Sequence, residues 1–283
     1  MSAIAKRIDA IAAVNGAFFS STGRPLGVFM IDGELMSEPY ANRTALGLGP
    51  RLAVMDQVSF EGRVLLEDGS LLASIHGLNR PRLQDELIVY TKHHGTKTNT
   101  NSHGYEVVVV DGMVTQIEQG NSTIPPDGFV LSAHGVQREL LVKLEVGDPL
   151  KIDFSLDPSW DELGITQIIG GGPRLVRDGE LYLTGEEELF KDDILVGRAP
   201  RTAIGITDDQ KLLLVTVNGR QPNISVGMTL SELGALQAMN LDGGGSTTMV
   251  IRNLVLNLPS DGKERPVGNA IVVVTDVASP LPR

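Results

Sequence analysis

The segment NLDGGGSTTM, residues 240–249, combines residue types that suit a ligand-binding turn. An aspartate, three glycines and two hydroxyl side chains follow one another and are candidates for substrate contact: Asp242, Gly243, Gly244, Gly245, Ser246 and Thr247. A folded glycine costs about 0.5–1 kcal/mol relative to alanine in lost backbone entropy, so a run of three needs a reason. A tight turn, a cradle for a phosphate and a flat surface for a sugar are the three interpretations.

Nucleotide-binding loops do not fit this segment. A P-loop requires Gly-x-x-x-x-Gly-Lys-Ser/Thr before a helix, and the dinucleotide motif requires Gly-x-Gly-x-x-Gly after a strand. Here no lysine follows the glycines, and the β-branched run STTMVI predicts a strand. Successive glycine amides can still bind an anion. Asp242 either bonds its own loop amides, as an Asx turn does, or contacts a ligand, and we favour the second.

Arginines are concentrated near this segment in the sequence, which suits phosphate or carboxylate binding through paired hydrogen bonds. Arg201 and Arg265 are the stronger candidates, because each precedes an apolar strand that would carry it inward. The remaining arginines are Arg174, Arg177, Arg198 and Arg220, and the first three are interpreted as solvated or ion-paired residues.

Composition excludes several classes of protein. The net charge of −11 argues against nucleic-acid binding, and the absence of cysteine excludes disulfides and thiolate chemistry. None of the five histidines has a metal-ligand spacing, so no metal site is predicted, while a divalent cation stays open as a cofactor. His134 follows an apolar run in LSAHG and is kept as a substrate-binding candidate.

The elements that position these residues are mostly hairpins. Asp-Gly pairs lie between apolar runs in GVFMIDGELM, EVVVVDGMVTQI and PRLVRDGELYL, as type I′ turns require. The sequence therefore predicts an α+β fold, with hairpin-rich mixed sheets and few helices in a single domain over 1–283, in which about 50–155 is an inserted subdomain in one interpretation. A capping-box spacing predicts a helix in TLSELGALQAM from Thr229, which delivers Asp242 to the end of a buried strand.

Targeting signals are weak. The longest apolar runs, such as KLLLVTV at 211–217, are too short to span a bilayer and are interpreted as buried strands. Lys6, Arg7 and Asp9 interrupt the N-terminal segment, which predicts a short helix rather than a signal peptide. Neither a nucleic-acid partner nor a membrane span is predicted, and the oligomeric state stays open.

Several motifs together resemble the phosphodiester glycosidases. They keep their order along the chain: VNGAFF, GGPRLVRDG, PRTAIGI, LLLVTVNGRQ, MNLDGGGSTTM and LPSDGKERPVGNAIVVV. The family includes animal enzymes that act on N-acetylglucosamine-1-phosphodiesters and bacterial relatives labelled exopolysaccharide biosynthesis proteins, and the middle of this chain is similar to the bacterial branch. The resemblance implies an extracellular or cell-envelope location.

What the resemblance implies is hydrolysis of the bond between a sugar's C1 and a phosphodiester, in a glycan or cell-wall polymer. It carries the catalytic role onto Asp242 and Arg201, and substrate binding onto Asn15, Arg265, Asn269 and the glycine turn. Glu264 is a spare catalytic carboxylate. Two alternatives stay open: a noncatalytic carbohydrate-binding or exopolysaccharide-assembly protein, and a phosphodiesterase that cuts P–O.

One position departs from the family's pattern. Many relatives have aspartate in the VTVDGR segment, whereas this chain has Asn218, a further substrate-binding candidate. If relatives use that carboxylate as a base or metal ligand, the role is missing here. Asn218 is the feature that favours the noncatalytic alternative.

Overall fold

The computed structural model describes residues 1–275 of the chain. Within them, four short α-helices are α1 (Ser2–Arg7), α2 (Arg138–Leu141), α3 (Asp192–Leu195) and α4 (Asn223–Glu232). The strands are β1 (Ala12–Asn15), β2 (Phe29–Ile31), β3 (Glu34–Ser37), β4 (Thr44–Leu48), β5 (Ala53–Gln57), β6 (Ser59–Leu65), β7 (Leu71–Ile75), β8 (Gly77–Leu78), β9 (Leu87–Thr91), β10 (Tyr105–Val110), β11 (Met113–Glu118), β12 (Gly128–Ala133), β13 (Lys151–Asp157), β14 (Gln167–Gly170), β15 (Arg174–Arg177), β16 (Glu180–Leu181), β17 (Ala199–Thr207), β18 (Leu212–Gln221), β19 (Ala235–Asn240), β20 (Met249–Ile251), β21 (Leu254–Val255) and β22 (Ala270–Val273).

The chain packs as two compact units. Unit 1 comprises Met1–Glu34, Pro39–Ser59 and the chain from Trp160 onward, and unit 2 comprises Leu35–Glu38 and Phe60–Ser159. The predicted α+β class, with many hairpins and few helices, is confirmed. The interpretation of 50–155 as an inserted subdomain stays a prediction; the main segment of unit 2, Phe60–Ser159, overlaps most of that range.

Unit 1 contains three antiparallel arrangements of strands. Their orders are β21-β20-β1-β22, β2-β14-β4-β5 and β16-β15-β19-β17-β18. Val14, Leu46, Ile204 and Met239 are buried in one cluster that joins strands from all three. The ends of β1, β17, β19 and β20 are therefore fixed by packing, and these ends carry the candidate site.

Unit 2 is built around a five-stranded sheet in the order β11-β10-β12-β9-β8, with β13-β6-β7 as a second sheet. β8 and β9 pair in parallel, whereas β10 pairs in antiparallel fashion with β11 and β12, so the larger sheet is mixed. Glu106 on β10 is fully buried, and its carboxylate accepts hydrogen bonds from Thr100 Oγ1 at 2.6 Å, Ser132 Oγ at 2.6 Å and the Ser122 amide at 2.9 Å. Burial alone would raise the pKa of Glu106, but these donors hold it below its ordinary value.

The predicted Asp-Gly turns are present. Asp111 and Gly112 have φ of 50° and 76° between β10 and β11, and Asp178 and Gly179 have φ of 52° and 82° between β15 and β16. These left-handed pairs are the conformations that type I′ hairpins require.

Two sequence predictions on local structure need correction. The helix predicted from Thr229 is wrong in its bounds: α4 ends at Glu232, Gly234 has φ of 87°, and the apolar residues beyond it form β19. A left-handed glycine terminates a helix, which the capping-box spacing did not reveal.

The segment KLLLVTV is largely half-buried rather than buried, because β18 lies at the edge of its sheet. The short helix predicted at the N-terminus is confirmed: α1 ends at Arg7, and β1 begins at Ala12.

Candidate active site

The Asp242 turn follows β19 and is fixed by backbone hydrogen bonds to two other strands. The Leu241 amide donates to the Thr202 carbonyl at 2.8 Å, and the Asp242 amide donates to the Gly16 carbonyl at 3.0 Å. Thr202 belongs to β17 and Gly16 follows β1 directly. The position of the Asp242 carboxylate is therefore set by the sheet rather than by a free loop.

Asn15, at the end of β1, is fully buried, and its side chain forms hydrogen bonds with the turn and with β17. Its Nδ2 donates to the Asp242 carbonyl at 2.6 Å, while its Oδ1 accepts from Thr202 Oγ1 at 2.7 Å and from the Thr248 amide at 3.1 Å. Both polar atoms of the side chain are occupied within the protein. Asn15 is thus placed to position Asp242, and its predicted contact with substrate stays a prediction.

Replacing Asn15 by alanine should therefore destabilise the fold. Three buried groups on Asp242, Thr202 and Thr248 would lose a partner, and a buried polar group left without one costs about 1–3 kcal/mol. We expect the free energy of unfolding, measured in urea, to fall by at least about 2 kcal/mol. The exposed Asn218 is the matched control, because its Oδ1 accepts a single hydrogen bond of 3.3 Å from Leu258, and Asn218→Ala should stay within about 0.5 kcal/mol. Equal losses in the two variants would contradict the positioning role of Asn15.

Each glycine of the turn has a separate structural reason. A Cβ on Gly243 would lie 2.9 Å from the Pro200 carbonyl oxygen, and one on Gly245 would lie 2.2 Å from Nη2 of Arg265. Gly244 has φ of 59° and no other group near its missing Cβ. The first and third glycines allow close approach of neighbouring groups, and the second adopts a left-handed φ that glycine favours.

Polar groups on the turn are free to bind a ligand. Within residues 1–275, the amides of Gly244 and Gly245 donate to no acceptor, and the buried hydroxyl oxygens of Thr247 and Thr248 have no hydrogen-bond partner. Buried polar groups in proteins are nearly always satisfied, so this cluster indicates a place for bound ligand or water. Adjacent free amides of this kind form an anion-binding nest.

Asp242 is only partly exposed, and its carboxylate accepts the Gly243 amide at 2.9 Å. Burial raises the pKa of Asp242, while the Ser246 hydroxyl, the Gly243 amide and the charge of Arg265 act in the opposite direction. The raised pKa makes the ionised carboxylate a stronger base than an exposed aspartate. Displaced pKa values of this kind are typical of functional sites.

The turn opens into a cleft of about 440 Å³ within unit 1. Asp242, Gly243, Gly244 and Arg201 lie on its lining, as the sequence predicted they would lie together. The lining also contains residues that sequence analysis missed: Phe18, Tyr40, Arg43, Phe190, Lys191 and Asp193. Three aromatic rings and several cationic groups therefore face the same space as the aspartate.

Arg201 lies on β17 with 1% of its surface exposed, so its predicted burial is confirmed. Its guanidinium donates to the carbonyls of Gln221 at 3.2 Å and Gly197 at 2.5 Å. Burial lowers the pKa of Arg201, and the charge of Asp193 acts in the opposite direction. No carboxylate forms an ion pair with Arg201 among residues 1–275, so its charge is available to an anionic ligand.

Arg43 precedes β4 and is held between two aromatic rings. Its Cζ lies 3.7 Å from the ring centroid of Phe190 and 4.8 Å from that of Tyr40, and its Nε donates to the Glu188 carbonyl at 3.1 Å. Such cation–π contacts fix the plane of the guanidinium. Arg43 is thus a rigid second cation in the cleft.

The wall that carries Phe190 is anchored by the buried carboxylate of Glu188. This group accepts hydrogen bonds from the Thr44 amide at 2.9 Å, Thr44 Oγ1 at 2.6 Å and the Arg174 amide at 3.0 Å. Arg174 is itself buried, and its Nη1 lies 3.6 Å from Asp56. Arg174 therefore has a structural role, as predicted.

Two predicted site residues are placed differently from expectation. Arg265 is not carried into the interior: its side chain is 44% exposed and forms an ion pair of 2.7 Å with Asp261, packed against Gly245. Glu264 accepts the Ser2 amide at 2.7 Å and lies 3.0 Å from the terminal ammonium. Burial alone would raise the pKa of Glu264, but these contacts hold it below its ordinary value. Glu264 is absent from the lining of the cleft.

Of the remaining candidates, Asn269 lies next to the site. It is buried, its Oδ1 accepts the Ala17 amide at 2.7 Å, and its Nδ2 has no partner within the described range. Asn218 is exposed and does not line the cleft. His134 belongs to unit 2 and lines a pocket of that unit. No group of three or more acidic or histidine side chains in residues 1–275 is arranged to hold a metal ion.

Comparison with known proteins assigns the chain to a family. The family model described as phosphodiester glycosidase matches residues 103–274. The chain belongs to the phosphodiester glycosidase family. The match contains Arg201, Asp242 and Arg265, but Asn15 and the aromatic Phe18 lie before it.

The named relatives of this family member are distant. The N-acetylglucosamine-1-phosphodiester alpha-N-acetylglucosaminidase of Mus musculus is 26% identical over 109 residues, which are 34% of this chain and 21% of that protein. The chain spans between 12% and 21% of the length of the curated relatives it matches first.

Two solved structures share the fold of this chain over nearly its whole length. A hypothetical protein from Synechocystis has a TM-score of 0.85 at 26% identity, covering 96% of this chain and 52% of that one. A protein from Burkholderia pseudomallei that is described as exported has a TM-score of 0.80 at 23% identity, covering 97% of this chain and 67% of that one. No helix in residues 1–275 is long and apolar enough to cross a bilayer.

Proposed function

We propose that the cleft of unit 1 hydrolyses the bond between C1 of a sugar and a phosphodiester oxygen. The observation that carries this proposal is a partly buried aspartate of raised pKa, Asp242, beside free glycine amides and two fixed arginines, Arg43 and Arg201. The family assignment supports a glycosidase, and the named animal relative supports a sugar-1-phosphodiester as the substrate class.

The leaving group explains why one carboxylate suffices. Most glycosidases need an acid to protonate a poor leaving group and a second carboxylate as base or nucleophile. Here the leaving group is a phosphate monoester, whose second pKa is about 6, so it departs without a proton. It needs stabilisation of the charge that develops on its oxygens, which fixed arginines and backbone amides supply.

The proposed reaction moves one proton, from water to Asp242, and one electron pair, from the C1–O bond to the phosphate oxygen. Asp242 accepts a proton from a water molecule as the water oxygen bonds to C1. The C1–O bond breaks, and its electron pair stays on the phosphate oxygen, facing Arg201 and the amides of Gly244 and Gly245. The products are the free sugar and a phosphate monoester of the other partner, with one proton released when Asp242 ionises again.

The aromatic residues fit the sugar part of this substrate. Phe18, Tyr40 and Phe190 line the cleft, and the rings of Phe18 and Phe190 lie 5.7 Å apart. Carbohydrate rings present apolar C–H faces that suit aromatic surfaces, while their hydroxyls need polar partners such as those on the turn. We propose a glycan or cell-wall polymer as the substrate and an extracellular or cell-envelope location, which the exported structural neighbour supports.

The noncatalytic alternative rested on Asn218. Since this residue is exposed and does not line the cleft, the missing carboxylate at 218 is no argument against catalysis in that cleft. The remaining alternative, cleavage of P–O, differs from the proposal in the bond that water attacks.

Oxygen-18 water identifies the bond that breaks. N-acetylglucosamine 1-phosphate esterified to a methyl group is incubated with the protein in labelled water, with and without chelator, and both products are analysed by mass spectrometry before the free sugar exchanges. We expect the label in the sugar. Label in the phosphate would establish the phosphodiesterase instead, and absence of turnover on this and other sugar-1-phosphodiesters would favour a binding protein.

A further inference from the structure

Unit 2 contains a second polar pocket, of about 450 Å³, to which the proposed reaction gives no role. We call it the His134 pocket. Its lining residues are Ser102, His103, Gln119, His134, Arg138 and Glu139, together with Gly135. Volumes of about 300–1,000 Å³ are usual for small-molecule sites. All of these side chains are polar, which excludes a lipid tail or other apolar ligand.

The sheet of unit 2 brings these residues together. β10 is antiparallel to both neighbours, with Tyr105 opposite Ala133 and Glu106 opposite Glu118. The segment before β10 and the segments after β11 and β12 therefore emerge at the same end of the sheet. The pocket lies at that end, so its members are fixed by strand register.

The segment after β12 is further held by unit 2 itself. The His134 amide donates to the Glu86 carbonyl at 2.9 Å, and the Val136 amide donates to Asp85 Oδ1 at 3.0 Å. Gly135 has φ of 55°, and a Cβ there would lie 1.8 Å from Asp85 Oδ1. Glycine is thus required at 135, and the turn presents His134 and Arg138 in a defined arrangement.

Two groups in the pocket lack partners. Nδ1 of His134 is buried and has no hydrogen-bond partner within residues 1–275. The Arg138 guanidinium forms no hydrogen bond or ion pair in the same part of the chain, although Glu139 is its neighbour in sequence. An arginine offers five donors and no acceptor, so an oxyanion is the ligand that satisfies it.

The local charge also favours an anion. Nη1 of Arg82 donates a hydrogen bond to Ser132 Oγ at 2.7 Å and lies 3.9 Å from the Glu106 carboxylate. The positive charge of Arg82 is therefore paired within the sheet. Burial lowers the pKa of Arg82, Glu106 opposes this, and Arg138 lowers it further. The charge of Arg138 thus acts on Arg82, and an anion bound at Arg138 would reduce this effect.

We propose that the His134 pocket binds a phosphorylated sugar. Arg138 and the imidazoles of His103 and His134 take the phosphate, while Ser102, Gln119 and Glu139 provide donors and acceptors for the hydroxyl groups. This site is separate from the chemistry proposed for Asp242, and it needs no turnover to be detected.

The histidines make the pocket directly observable. All five lie between positions 76 and 134, so imidazole NMR signals report on unit 2 alone. Glucose 6-phosphate, glucose and inorganic phosphate are titrated into the protein, with His103→Asn and His134→Asn used to assign the signals. We expect saturable shifts of the His103 and His134 signals with glucose 6-phosphate, weaker binding of inorganic phosphate, and no response to glucose.

Arg138→Gln should weaken the binding of glucose 6-phosphate by about tenfold or more, since it removes a charge-assisted contact. Lys143→Gln removes the same charge from an exposed residue of unit 2 and should leave the affinity unchanged. Asp242→Asn should also bind normally, so failure of the proposed hydrolysis and failure here are distinguishable. Unsaturable shifts, equal binding of inorganic phosphate and glucose 6-phosphate, or wild-type affinity in Arg138→Gln would each overturn the proposal.

Discussion

Replacing Asp242 by asparagine should reduce kcat by about 10²–10⁴-fold, because a positioned base contributes a factor of this size. Asparagine has the same shape, and its Oδ1 can still accept the Gly243 amide that now lies 2.9 Å from the carboxylate. The loss should therefore come from basicity and charge rather than from misfolding. Steady-state kinetics on the sugar-1-phosphodiester measure it.

The same variant should be as stable as the wild type at neutral pH, or more stable. Burial raises the pKa of Asp242 in the folded state, so the stability that this group confers is present at low pH and is lost as pH rises through the folded pKa. Removing the charge removes that cost. A collapse of activity together with an unchanged or higher Tm would identify Asp242 as a residue kept for function.

A charge-matched control lies on the exposed turn between β17 and β18. Asp208→Asn removes one negative charge there, and we expect wild-type kcat. The wild-type pH profile gives a second check: activity that needs ionised Asp242 should fall on acidification at a pH above the ordinary aspartate value. Full activity in Asp242→Asn would show that another group performs the chemistry.

Much of the strand framework could be predicted because its signals are local. Asp-Gly pairs between apolar runs favour left-handed turns, and the turns at 111–112 and 178–179 are present. The bounds of α4 could not be predicted in the same way. Gly234 ends this helix, and the following apolar run pairs with β17, a strand from another part of the chain. Tertiary pairing therefore overrode a helical pattern.

Part of the candidate site follows from one local pattern, an arginine directly before an apolar stretch. The pattern predicts burial of Arg201, and this residue is buried in the cleft. Arg43 has the same relation to β4, so the same signal could have found it. Arg265 also fits the pattern but stays at the surface, because Asp261, four residues earlier, pairs with it there. The pattern does not distinguish the buried Arg201 from the exposed Arg265, since it does not include Asp261, the ion-pair partner of Arg265.

The aromatic wall was harder to predict. Phe190 lies in an acidic stretch, EEELFKDD, which resembles a solvated loop. Its burial depends on Glu188, whose carboxylate accepts hydrogen bonds from Thr44 and Arg174, both distant in sequence. A buried carboxylate whose partners come from two other segments has no signature in its own segment.

Replacing Arg201 by glutamine should lower kcat by about 10²–10³-fold, the effect of removing one fixed donor from a developing oxyanion. The buried guanidinium lines the cleft beside Gly243 and Gly244 and has no ion-pair partner within residues 1–275. The phosphate monoester product should also inhibit the variant less, because the charge that binds it is gone. Arg201→Lys keeps the charge and should recover part of both effects.

Because Arg201 also donates to the carbonyls of Gln221 and Gly197, its loss will lower stability, and a readout specific to catalysis is needed. Product inhibition supplies it, since a purely structural role would reduce the amount of folded enzyme without changing the inhibition constant of what remains. Arg198→Gln is the matched control in the same segment: this arginine is exposed and makes one hydrogen bond of 3.4 Å, and its loss should change neither kcat nor inhibition. If Arg201→Gln kept the wild-type inhibition constant, Arg201 would be a structural residue, and the phosphate would have to be bound by Arg43 and the glycine amides alone.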